Sequence, residues 1–114
     1  MLQFPGRFRR EVQLARQVTH PNVYTFWQPH VGTTADASEA GLRAILPRLW
    51  NLHVFSWNGR ERMPLNHREA DWRRWLAVAR GTVRTHVCAI EFVRDDQPEQ
   101  FLADAATLLD WLSG

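Results

Sequence analysis

Helical and extended signals alternate along the whole of this 114-residue chain, and no other feature narrows the fold as much. Strands separated by helical crossovers must pair in parallel with right-handed connections, which leaves few topologies open. Residues 7 to 18, RFRREVQLARQV, space Phe8, Val12, Leu14, Ala15 and Val18 as a helix would and stop before His20-Pro21, a pair that disfavours helix. NVYTFW, residues 22 to 27, is β-branched and aromatic and ends before Pro29, predicting a strand. Asp36 with Glu39 at capping-box spacing opens a second helix that runs through Leu42, Ile45 and Leu46 to Pro47. LWNLHVFSW, residues 49 to 57, predicts the second strand. A polar loop, NGRERMPLNH, follows it and leads to a third helix capped at Asn66, with Trp72, Trp75, Leu76 and Ala79 on one face and Gly81 at its close. HVCAIEFV, residues 86 to 93, predicts the third strand. The last helix opens at Asp96, has Pro98 and Glu99 in its first turn, and presents Phe101, Leu102, Ala105, Leu108, Leu109 and Leu112.

The resulting order, α-β-α-β-α-β-α, is an α/β chain of three to four βα units. No linker or low-complexity tract divides residues 1–114, so a single domain is expected. The N-terminus lacks a signal-peptide apolar stretch and no run approaches the ~20 apolar residues of a membrane span, which predicts a cytoplasmic protein with no membrane partner. Cys88, the single cysteine, lies in the apolar run VCAIEFV and reads as a small hydrophobe. All fourteen basic residues are arginine, against twelve acids. Arg7, Arg9 and Arg10 cluster, but most arginines alternate with acids along helices, which predicts solvated, ion-paired faces and no nucleic-acid partner.

In parallel α/β sheets ligands bind beyond the carboxyl ends of the strands, so polar residues there are the candidates. Trp27 and Gln28 end the first strand, His53 and Trp57 lie in the second, and Glu91 stands among hydrophobes in the third. A carboxylate in such a strand requires a cation, a strong hydrogen bond or a proton. Asn51, His53 and Phe55 share one strand face, as do Val87, Ala89 and Glu91, so His53 and Glu91 are expected to converge. Imidazole plus carboxylate suits a divalent metal, whereas a core histidine and a Glu91–Arg62 ion pair are the structural alternatives. Gln28 suits either a substrate hydrogen bond or a loop.

The run NLHVFSWNGRERMPL, followed by DWRRWL, CAIEFV and the DAATLL helix, resembles the last strands of the sugar phosphate isomerase/epimerase (xylose isomerase-like) family of TIM barrels. PNVYTFWQPH matches the preceding strand of that family more loosely. The resemblance spans residues 20 to 113 and implies the C-terminal half of a (β/α)8 barrel. It aligns Glu91 with the family's metal-binding glutamate and His53 with its histidine motif. Ser56 stands where many relatives carry aspartate. The resemblance further implies a divalent metal (Mn, Mg or Zn), proton transfer between neighbouring carbons of a sugar or sugar phosphate, and His53 and Glu91 as catalytic residues. Trp27, Gln28 and Trp57 become candidate substrate contacts, and Arg60 and Arg62, on the loop after the histidine strand, candidate phosphate ligands.

A complete barrel has eight strands and ~250 residues. Three strands leave two open edges and one uncovered face, which predicts a homo-oligomer or a complementing barrel half, and an unstable isolated monomer. The alternative function is a non-catalytic barrel fragment acting as a binding or assembly module.

Overall fold

The computed structural model describes residues 20–113, together with Gln13 and Gln17, which are helical. The helix expected over residues 7 to 18 otherwise lies outside the described residues, as does the Arg7, Arg9 and Arg10 cluster. The elements are β1 (Thr25–Trp27), α1 (Ala35–Ile45), β2 (Leu49–Val54), β3 (Ser56–Asn58), β4 (Glu61–Met63), α2 (Glu69–Arg80), β5 (Val87–Ile90) and α3 (Pro98–Ser113), with short 3-10 turns at Leu46–Arg48, Leu65–Arg68 and Arg94–Asp96.

Three strands form a parallel sheet in the order β1-β2-β5. Phe26 pairs with Asn51 across β1 and β2, and His53 pairs with Ala89 across β2 and β5. The helices pack on one face of this sheet. Trp27, Leu52 and Val54 point into that layer and meet Leu42 and Ile45 of α1, Trp72, Trp75 and Leu76 of α2, and Leu108 and Trp111 of α3. The rings of Trp27, Trp72 and Trp75 meet edge to face with centroids 5.0 to 5.9 Å apart, the arrangement that ring quadrupoles favour. Both indole N–H groups of α2 find acceptors: Trp72 donates to the Phe55 carbonyl at 2.8 Å and Trp75 to the Ala35 carbonyl at 3.2 Å.

The segment expected as one strand over 49 to 57 is two. The bond from Trp72 occupies the Phe55 carbonyl, and Ser56–Asn58 turns away to pair antiparallel with Glu61–Met63. The presumed polar loop is therefore a hairpin. Its two-residue connection places Gly59 first, at φ 61°, where a type II′ turn requires glycine. Two expected caps also move. Thr34, not Asp36, caps α1, its hydroxyl accepting from the Ala37 amide at 3.0 Å. Asn66 caps nothing; it lies in the 3-10 turn that precedes α2.

On α3 the buried face is Asp104, Leu108 and Trp111, while Phe101, Leu102, Leu109 and Leu112 are exposed. Asp104 is buried because it has partners, accepting from the Leu65 amide at 3.0 Å and the Gln100 side chain at 2.8 Å. Arginines on the helix surfaces pair with acids as expected: Arg74 with Asp36 and Glu39, Arg43 with Glu39, and Arg68 with Asp71. The Arg74 guanidinium holds the Glu39 carboxyl below its usual range. No helix among the described residues is long and apolar enough to cross a membrane. The parallel sheet does not close on itself. Among the described residues no layer covers its second face, which carries Phe26, Asn51, His53, Val87 and Ala89, with Phe26 and Val87 about half exposed.

Candidate active site

The site is built where the three parallel strands end. The Glu91 amide donates to the Val54 carbonyl at 3.1 Å, extending the β2–β5 ladder one residue past Ile90. This places Glu91 diagonal to His53 on the uncovered face. Glu91 Oε1 lies 3.1 Å from His53 Nδ1. The side-chain oxygen of Gln28, just beyond β1, lies 3.3 Å from the same nitrogen. The Phe26 ring stacks on the imidazole, with centroids 4.2 Å apart and planes 10° from parallel.

These contacts fix the histidine's chemistry. Where Nδ1 donates to one of these oxygens, the lone pair of a neutral ring lies on Nε2. Nε2 makes no hydrogen bond among the described residues. An imidazole oriented by a carboxylate in this way can act as a base.

Gln28 also joins this cluster to a cleft of about 530 Å³ at the carboxyl ends of the strands. One wall is the segment after β1, Gln28 to Thr33, and the other is Phe55, Trp57 and Phe92. These three rings contact one another at centroid distances of 5.0 to 5.5 Å. Phe92 adopts φ 53°, and Asp95 and Asp96 adopt φ 57° and 51°. A bulky residue in the left-handed region is strained, and such strain gathers at ligand sites. Sequence reasoning missed Phe55 and Phe92. Nothing in CAIEFV signals a left-handed phenylalanine.

The remaining candidates divide. Trp57 lines the cleft. Trp27, offered as a substrate contact, instead lies on the helix-covered face, 2% exposed. Arg62 pairs with Asp96 at 2.8 Å and sits over the Phe92 ring at 5.3 Å; the Glu91–Arg62 pair does not form. Arg60 is exposed at the hairpin tip. Ser56 is buried and donates to the Leu65 carbonyl at 2.5 Å, a structural bond. Cys88 faces the core, and burial pushes its thiol pKa up, against nucleophilic use.

The 3.1 Å separation of His53 and Glu91 suits neighbouring ligands of an ion bound at roughly 2.1 Å. Yet no group of three or more His, Cys, Asp or Glu side chains gathers among the described residues. Two such donors are too few to hold a hard cation against water, so these residues alone do not fit the metal that the resemblance implies. Comparisons of the chain with protein-family models, curated proteins and solved structures return no match.

Proposed function

We propose that this chain is the carboxyl-terminal part of a (β/α)8-type barrel, sugar isomerase/epimerase-like in chemistry, whose site is completed by a second copy or a complementing barrel half. The observation that carries the reading is the His53–Glu91–Gln28 constellation at the carboxyl ends of parallel strands, on a sheet face that none of the described elements covers.

In this reading His53 Nε2 removes a proton from the carbon beside the carbonyl of an open-chain sugar. The electron pair of the broken C–H bond moves into an enediolate, placing charge on the carbonyl oxygen. Return of the proton from His53 to the former carbonyl carbon, with the hydroxyl proton of the neighbouring carbon passing to the former carbonyl oxygen, gives isomerisation; epimerisation needs a second acid on the opposite face of the enediolate, which the completing copy or barrel half would supply. Glu91 stabilises the imidazolium formed in between. Gln28, its oxygen held by His53, keeps its NH₂ group as a donor for the carbonyl oxygen. No step is assigned to a metal.

The test is exchange in D₂O, followed by NMR, with aldoses, ketoses and their phosphates supplied to the full chain in its native oligomeric state. Deuterium should appear at the carbon beside the carbonyl and be lost in His53→Asn and Glu91→Gln. If the chain binds a sugar but exchanges no proton, the second reading prevails: a binding or assembly module. The half-exposed Phe26 and Val87 beside the cluster are the observation that fits that second reading.

A further inference from the structure

One side of α3 is apolar and exposed. Helical spacing places Phe101, Leu102, Ala105, Leu109 and Leu112 in a single stripe, in which Leu102 and Leu109 are 66% and 65% exposed. The stripe faces away from α2, because the opposite side of α3 is the one tied to that helix: the Trp111 indole donates to Glu69 at 3.0 Å and Asp110 pairs with Arg73 at 3.6 Å. It is the outer flank of the helix layer. Leu102, Ala105, Leu109 and Leu112 recur at three and four residues, the spacing of a two-helix seam.

We propose that this stripe is the docking surface for residues 7 to 18 of a second copy of the chain. The inference concerns assembly and stands whether or not the site acts on sugars.

Charge selects the occupant. α3 carries Glu99, Asp104 and Asp110 and no basic residue, so a second α3 laid on the stripe would set like charges together. The segment RFRREVQLARQV offers the opposite balance, four arginines and one glutamate, with Phe8, Val12 and Ala15 at matching spacings of four and three. Gln13 and Gln17, its described members, are helical and exposed, and helical spacing sets them opposite Phe8, Val12 and Ala15.

The tether explains why the segment comes from another copy. The carbonyls of His20 and Val23 accept from the Arg48 guanidinium at 2.5 and 3.0 Å, which holds the entry of the chain beside β1. That strand is the sheet edge opposite β5. α1 is paired with α2, and α2 with α3, so the stripe lies on the far flank of the layer. Reciprocal exchange of the segment between two copies closes under two-fold symmetry.

Sedimentation velocity and cross-linking of the full chain test this. The chain should be dimeric, and Leu109→Ser, a change at an exposed position, should raise the dimer dissociation constant roughly tenfold with circular dichroism unchanged. Added sodium chloride should weaken the dimer, since it screens opposite charges; a dimer that salt strengthens overturns the proposal. In a Cys88→Ala background, Val12→Cys chains mixed with Leu109→Cys chains should join through a short bis-maleimide into covalent dimers. Failure of that mixture to join overturns the proposal, as does a monomeric chain. Joining of Leu109→Cys chains alone would show α3 against α3, and a link within one chain carrying both changes would show its own segment on the stripe; either result also overturns it.

Discussion

The two faces of the parallel sheet are built from the same three strands and are treated in opposite ways. One face, Trp27, Leu52 and Val54, is sealed under three helices, with Leu52 at 1% and Val54 at 0% exposure. The other, Phe26, Asn51, His53 and Ala89, has no covering layer among the described residues, and its polar groups satisfy one another sideways along the sheet. Stability is concentrated in the first face, where large rings interdigitate and every large-to-small change leaves a cavity. The second face holds side chains in fixed positions without enclosing them. The helix-covered face can therefore supply the fold while the other face leaves the His53–Glu91–Gln28 cluster accessible.

The largest effect that would sharpen this contrast is Trp72→Ala. Trp72 is fully buried, touches Trp27 and Trp75, and holds the Phe55 carbonyl. Its loss should cost about 3–5 kcal/mol in urea unfolding. A cost near that of an exposed site would mean that the sealed face does not hold the fold. Next, Asp104→Ala should cost about 1–3 kcal/mol, because the buried Leu65 amide loses its acceptor. Urea unfolding of Asp104→Asn should recover part of this, since an amide oxygen still accepts.

On the open face the expected sign is different. Phe26→Ser should change the stability of the folded chain by no more than about 1 kcal/mol while weakening self-association seen by sedimentation velocity, since Phe26 is about half exposed. A loss comparable with that of Trp72→Ala would break the comparison. His53→Asn should likewise leave unfolding within about 1 kcal/mol of the unmodified chain, as expected for a partly exposed pair.

The smallest effect concerns pH. Arg74 holds the Glu39 carboxyl below its usual value. A depressed carboxyl contributes stability that is fully present above the ordinary carboxylate pKa and is lost as pH falls through the lowered one. Glu39→Gln should therefore flatten the decline of stability on acidification, measured by thermal unfolding across that range, and leave the neutral-pH behaviour of the open face unchanged.

Much of this contrast was legible in the sequence. Alternating helix and strand signals determined a parallel α/β sheet, because β-branched and aromatic runs separated by helical crossovers have few other ways to pair. The spacing of Trp72, Trp75, Leu76 and Ala79 determined the face that α2 buries, since residues three and four apart share one side of a helix. The two-residue period of strands likewise put His53 and Glu91 on the same side. Tertiary structure decided what local pattern does not encode. The bond from Trp72 to Phe55 split one apolar run into a strand and a hairpin, and the partners of Asp104 buried an acid on α3 while four apolar neighbours stayed exposed. It also turned Trp27 into the core and Phe92 into the cleft. Period and propensity act over a few residues, whereas which surface a side chain meets is set by groups dozens of positions away, and only packing brings those together.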